Sequence, residues 1–170
     1  MNKKGLGAKS TENGFIEEHK APVLMKTIDP TDTEAIRREL IEFEKSMVGE
    51  SVEHACVITK EGKIYHCYGT ADRVYPDFDL GDELEGAYVT HNHTSKETAY
   101  SFSNDDFIMF EAQKLEILRG CDEKYIYELN RNSLDIDTEP YNWQDFENVQ
   151  HTKMIISATD TGVGYRRWKR

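Results

Sequence analysis

The sequence predicts a single α/β domain, on three observations. Its 170 residues suit one domain that buries its own core. Runs rich in β-branched and aromatic residues at 52–59, 63–68 and 87–93 alternate with segments whose apolar residues recur at helical spacing. No run of about 20 apolar residues is present, so no membrane span is read.

Residues 1–22 are rich in Lys, Gly, Ser, Thr, Asn and Glu without apolar period, and read as a mobile or partner-dependent arm. The boundaries follow as an N-terminal arm over 1–30 and a domain over 31–170. Ala21 to Ile28 adds a short strand before Asp29-Pro30. Thr31-Asp32-Thr33 opens a helix whose stripe is Ile36, Leu40, Phe43 and Met47, with Gly49 as its stop. Val52 to Thr59 and Lys63 to Tyr68 form a hairpin around Lys60-Glu61-Gly62. Gly69 to Gly86 carries Asp, Pro and Gly at close intervals and reads as a loop with little regular structure. Ala87 to His93 is a strand. Asn104 to Arg119 reads as a helix burying Phe107, Phe110, Leu115 and Leu118, with Gly120 as its stop. Lys124 to Leu129 is a further strand, Trp143 to Val149 a helix, and Met154 to Ala158 a strand. The basic and aromatic end Tyr165 to Arg170 reads first as a solvated tail; its other reading is a grip on an anion or a nucleobase.

Composition excludes some functions. Lys plus Arg number 21 against 32 Asp plus Glu, a formal charge of -11, so a phosphate backbone is repelled on average and nucleic acid is a disfavoured partner. The start Met-Asn-Lys-Lys-Gly is followed by no apolar stretch of signal-peptide type, which predicts a cytoplasmic protein. Three cysteines fit reduced thiols better than a disulfide framework. A two-residue hairpin loop at Glu61-Gly62 would set Cys56 opposite Cys67, where a bridge is conceivable and two buried thiols are favoured.

The chemistry concentrates in His91-Asn92-His93, followed by Ser103 and Asp106. On an extended segment His91 and His93 project from the same face, so their imidazoles converge. Zinc accepts imidazole nitrogen at about 2.0 to 2.1 Å and carboxylate oxygen at similar range, so His91, His93 and Asp106 make three ligands and leave a fourth place for water. Each element also has a plain explanation. A His-x-His pair alone is often two solvent-facing strand residues, and Ser103 with Asp106 is a capping box that starts a helix. The two readings are compatible, because a capped helix start would hold Asp106 rigidly beside the strand end. Glu53 adds weight: a charged side chain leading into the apolar run Ala55 to Ile58 suits a carboxylate that moves protons near a metal.

With Glu53, His91-Asn-His93 and Ser103-Asn-Asp-Asp106, the chain resembles the JAB/MPN (JAMM) zinc metalloproteases, and among them the bacterial and phage branches. The resemblance covers roughly residues 52 to 130. Thr94 stands where the family has proline, and nine residues rather than seven separate His93 from Ser103. Strict spacing would select Ser101 and Asn104, but an amide is a poor third ligand, so a two-residue insertion and Asp106 are preferred, with Asp105 as the fallback. The resemblance implies a cytidine-deaminase-like mixed sheet flanked by helices. It also implies Zn2+ held by His91, His93 and Asp106, Glu53 as general base toward a zinc-bound water, and Ser103 as oxyanion donor. The implied substrate is a peptide or isopeptide bond, for instance at the C-terminus of a ubiquitin-like protein whose tail adds as a strand at a sheet edge near the metal. The alternative it leaves open is a non-catalytic binding or phage-assembly module on the same fold.

Overall fold

The computed structural model of the chain describes residues 9–10, 16–17, 19–95, 100–137 and 146–170. The register of its sheet is set at a turn. Gly62, at φ +83°, lets Lys60-Glu61-Gly62 close a three-residue loop between β4 (His54–Ile58) and β5 (Lys63–Tyr68). Thr59 N–H donates to the Lys63 carbonyl at 2.9 Å and Gly62 N–H to the Thr59 carbonyl at 2.8 Å. Space also demands glycine there, since a Cβ at residue 62 would lie 2.1 Å from the Ile28 carbonyl oxygen. The extra loop residue shifts the pairing by one from that expected of a two-residue loop. Ala55 faces Cys67, and Cys56 faces His66. Neighbouring side chains alternate between faces, so Cys56 and Cys67 point to opposite sides and the conceivable bridge between them does not form. Cys56, Cys67 and Cys121 are all free and buried.

Around this hairpin the chain builds a seven-stranded mixed sheet in the order β3-β5-β4-β6-β7-β8-β9. Its other strands are β3 (Val23–Thr27), β6 (Tyr88–Asn92), β7 (Ile117–Cys121), β8 (Tyr125–Asn130) and β9 (Gly164–Lys169). β6 and β7 run parallel, and every other neighbouring pair is antiparallel. A separate antiparallel ribbon joins β1 (Lys9–Ser10) to β2 (Ile16–Glu17). The described helices are α1 (Thr33–Met47), α2 (Pro76–Leu80), α3 (Asn104–Ala112) and α4 (Phe146–Thr161), with a 3-10 turn over Gly81–Leu84. None of them is long and apolar enough to cross a membrane.

The helices cover both faces, as a sheet buried on two sides requires. Asp32 caps α1 by accepting the Ala35 N–H at 2.9 Å, and Ile36 and Leu40 pack on Cys56, Ile58 and Ile64. On the other face Phe110 of α3 and Met154, Ile155 and Ala158 of α4 pack with Ala55, Val57, Val89 and Leu118. The result is an α/β domain with a central sheet between helical layers.

Several expectations need correction. The helix from Asn104 stops at Ala112, because Lys114 turns left-handed at φ +49° and Leu115 N–H returns to the Phe110 carbonyl at 3.1 Å. Ile117 to Cys121 is a strand, and Gly120 is a strand residue rather than a stop. Met154 to Ala158 lies inside α4; a short apolar run fits either period, and here His151, Met154, Ile155 and Ala158 are buried at helical spacing. Residues 138–145, and with them the start of the helix expected from Trp143, lie outside the described residues, as does most of the arm over 1–22. The basic end is no solvated tail: β9 pairs with β8 along its whole length and buries Tyr165. The segment from Gly69 to Gly86 carries α2 and the 3-10 turn, hence more order than a loop.

One buried polar network crosses from α1 to the sheet. Glu44 sits on the apolar face of α1, where Arg119 of β7 donates Nε to Oε1 at 2.6 Å and Nη2 to Oε2 at 2.9 Å. Thr90 Oγ1 donates to Glu44 Oε1 at 2.8 Å, and Arg119 Nη1 reaches Glu128 Oε2 at 2.9 Å. Such charges are tolerated inside only when paired. Arg119→Leu leaves Glu44 uncompensated and is expected to lower stability by about 3 to 5 kcal/mol, measured by urea denaturation. A second cluster carries a pH dependence. His54 Nδ1 and His66 Nε2 are 3.0 Å apart, and His66 stacks on Tyr68 at 4.2 Å. Burial, then the His54 ring and Lys20, push the His66 pKa down to about 4 from 6.5. The folded protein therefore refuses a proton that the unfolded chain accepts. This stability is fully present above pH 6.5 and is lost as pH falls toward 4. The melting temperature of His66→Phe is expected to decline less steeply than that of the parent over this range.

Candidate metal centre

The parallel pair β6 and β7 is joined through α3, and in such βαβ units ligands gather at the carboxyl ends of the strands. At that end of β6, alternation turns Val89, His91 and His93 toward the α3 and α4 face. His93 lies just past the strand, and its N–H still donates to the Cys121 carbonyl at 2.7 Å. Asn92 points the other way and clamps the strand end to the start of β4: its Oδ1 accepts the His54 N–H at 2.7 Å and its Nδ2 donates to the Val52 carbonyl at 3.0 Å.

Room for the imidazoles comes from the neighbours. In the register His91 stands between Ala55 of β4 and Gly120 of β7. A Cβ on Gly120 would lie 3.1 Å from Phe102 Cε1, 3.4 Å from His93 Nε2 and 3.7 Å from His91 Cε1. Both histidines are buried, and their Nε2 atoms are 3.0 Å apart. Tyr127, whose hydroxyl donates to Asp122 Oδ2 at 2.7 Å, stacks its ring along His93 with centroids 5.9 Å apart.

The third group arrives on α3. Ser103 is its N-cap and completes a capping box with Asp106. Ser103 Oγ accepts the Asp106 N–H at 3.1 Å, while Ser103 N–H and Oγ–H both donate to Asp106 Oδ2 at 2.8 Å. With Oδ2 held in this way, Asp106 Oδ1 stands 3.6 Å from His91 Nε2. One ligand atom from each of His91, His93 and Asp106 lies within 4.8 Å of the other two, so the group could hold a metal ion.

The donor set fits such an ion. Burial, and next the adjacent His91 ring, pushes the His93 pKa down, so its imidazole is neutral near pH 7, the state in which it ligates. His93 Nδ1 is buried without a hydrogen-bond partner among the described residues, so none of them supplies the outer hydrogen bond that commonly steadies a ligating histidine. Asp105, the fallback ligand, is exposed and faces Arg73 Nη1 at 3.6 Å, outside the group. The pair selected by strict spacing is engaged elsewhere. Ser101 Oγ lies 2.5 Å from the Tyr165 hydroxyl, and Asn104 Oδ1 accepts Gln150 Nε2 at 3.2 Å. Thr94, at the position where proline was expected, donates to the Ala71 carbonyl at 3.2 Å.

Glu53 immediately precedes β4 and is only 6% exposed. Its N–H donates to the Thr70 carbonyl at 2.7 Å, and its carbonyl accepts the Gly69 N–H at 2.8 Å. Glu53, His93, Ser103 and Asp106 line one cleft of about 800 Å³, with Arg73 and Tyr75 also on its wall. Three of the five residues singled out in the sequence thus meet as a ligand group, Ser103 braces one of them, and Glu53 faces the same cleft. Sequence reasoning took Gly120 for a helix stop and Ala55 for a plain core residue; a lone glycine inside a strand is the signal of close approach that could have found the first. Sheet edges near the metal are a different matter: β3 and β9 each stand three strands from β6, about 14 Å at normal strand spacing.

Comparison with known proteins gives no match to the chain from a family model, a curated protein or a solved structure. Fold and site together define an α/β domain with a His-His-Asp group able to hold a metal ion. Gly120→Val is expected to cost the protein most of its affinity for a divalent transition metal while its far-UV circular dichroism persists. Calorimetric titration of parent and variant checks this.

Proposed function

We propose that the protein is a zinc-dependent metallopeptidase or isopeptidase of the JAB/MPN type, with the cytidine-deaminase-like fold that this implies. The observation that carries the reading is the convergence of His91, His93 and Asp106 within 4.8 Å at a cleft whose lining includes the buried Glu53. Two imidazoles and one carboxylate favour zinc over calcium or magnesium, which prefer all-oxygen sites. When bound by these three residues, zinc supplies Lewis-acid polarisation of the scissile carbonyl and acidifies a water.

The chain's own groups do the remaining work. Glu53 takes the proton of the attacking water and returns it to the leaving amine. Its burial keeps bulk water from competing for that proton, and its two backbone hydrogen bonds to the segment after β5 fix the carboxylate's base. Ser103 first holds Asp106 in place. Its single hydroxyl proton is engaged with Asp106 Oδ2, so donating to an oxyanion requires it to release that oxygen; donors in that role contribute roughly 3 to 4 kcal/mol elsewhere. The cleft suits an extended polypeptide, such as the C-terminal tail of a ubiquitin-like protein, entering past Arg73 and Tyr75. Three buried free thiols support a reducing compartment, the cytoplasm.

Elemental analysis of the purified protein, followed by turnover of a ubiquitin-like fusion, tests this. One zinc per chain and cleavage are expected. Glu53→Gln should keep the metal and lose hydrolysis by a factor of about 10² or more, whereas His93→Ala should lose both. Asp106→Ala should lower zinc content, and an unchanged content would move the third ligand to Asp105. Cleavage retained by Glu53→Gln, or a metal-free protein that cleaves nothing, overturns the proposal.

A further inference from the structure

A second cleft lies on the opposite face of the sheet. There α1 packs over β4 and β6, and a cavity of about 620 Å³ opens between α1 and the ribbon of β8 and β9. Five cationic side chains line it. Arg37 and Lys45 come from α1, Arg119 from β7, and Arg166 and Arg170 from β9 and the residue after it, Arg166 lying 3.6 Å from Glu128. Arg167 contributes backbone, its guanidinium donating to Asn148 of α4 on the other face. The carboxylates in the lining are Glu44 and Asp137. Glu44 is consumed by Arg119 and Thr90, and Asp137 Oδ2 accepts the Arg167 N–H at 2.7 Å. Arg119 is neutralised by Glu44 and Glu128. Arg37 and Lys45 form no ion pair among the described residues, and both are exposed. In a chain of formal charge -11, this is a local reversal of sign.

An aromatic ring stands in the same cleft. Trp168 of β9 is 36% exposed and held by two guanidinium groups, with Arg119 Cζ 5.1 Å and Arg166 Cζ 5.6 Å from the ring centroid. Ile41 and Ile126 add apolar wall beside it. Unpaired cations next to an exposed indole select a ligand with an anionic part and a flat apolar part. Size narrows the choice, since about 620 Å³ is the volume of a small-molecule pocket. Net charge narrows it again, because the acidic remainder of the surface repels a long polyanion.

We propose that this cleft binds a nucleoside phosphate, its base against Trp168 and its phosphates at Arg37 and Lys45. The site lies on the face away from the metal centre, shares none of its residues, and stands whether or not that centre hydrolyses peptides.

The chain has two tryptophans, so Trp143→Phe in the full-length protein leaves Trp168 as the sole indole reporter. Titration with ATP or AMP is expected to change Trp168 emission saturably, with affinity at least about tenfold above that of inorganic phosphate measured by competition. Arg37→Ala with Lys45→Ala, both at exposed positions, should weaken ATP binding at least about tenfold and flatten its salt dependence. Trp168→Ala, followed by equilibrium dialysis, should weaken ATP without affecting phosphate. The proposal is overturned by an emission unmoved by ATP, by inorganic phosphate binding as tightly as ATP, or by unchanged affinity in the double variant. Tighter binding of a single-stranded oligonucleotide or an acidic peptide than of ATP overturns it equally.

Discussion

The candidate centre depends on the register of β6 between β4 and β7. Pairing sets His91 between Ala55 and Gly120, whose small size leaves two imidazoles a gap to converge in. A slip of one residue would put Cys56 or Arg119 beside the imidazole and send His91 to the face of α1. Asn92 guards against that slip, because its amide bonds both Val52 and His54 and so couples the end of β6 to the start of β4. Glu53 lies between those two residues, and the same coupling holds it at the cleft that His93 also lines, although 40 positions separate the two.

Helix capping completes the arrangement. A capping box ordinarily contributes about 1 kcal/mol to a helix start. In α3 it also decides which carboxylate oxygen of Asp106 is tied to Ser103 and which faces His91. The structural and chemical readings of the Ser103–Asp106 pair are therefore one geometry seen twice, and no trade between stability and function is needed at that point. The buried Glu44–Arg119 pair works from the other side of β7, directly next to Gly120, and ties the strand that floors the centre to α1.

Much of this was legible in the sequence because it rests on short-range rules. Alternation gave the direction of His91 and His93, the Ser-x-x-Asp pattern gave the start of α3, and the β-rich runs around Gly62 gave the hairpin. What could not be read was governed by single dihedrals or by distant pairing. One left-handed residue, Lys114, splits an apparently continuous apolar stripe into a helix and a strand. One additional loop residue separates Cys56 from Cys67. Tyr165 to Lys169 carries too many charges to look like a strand, yet its pairing with β8 lets Tyr165 fill the core while Arg166 and Lys169 stay exposed. The role of Gly120 was hidden for the same reason, since it exists only once β7 lies against β6.

Gly69 is packed so closely that a Cβ would lie 2.2 Å from the Arg73 carbonyl oxygen and 2.8 Å from that of Glu53. This contact pins the segment from 69 to 73 at its root, directly behind the acid. Asp72, Arg73 and Tyr75 extend from that anchored root to the wall of the cleft. The two parts answer to different constraints: backbone contact fixes the position of Glu53, while the side chains beyond it are free to vary. If the cleft works as proposed, descendants of this chain can retune what it admits by exchanging wall residues while Glu53 stays where it is.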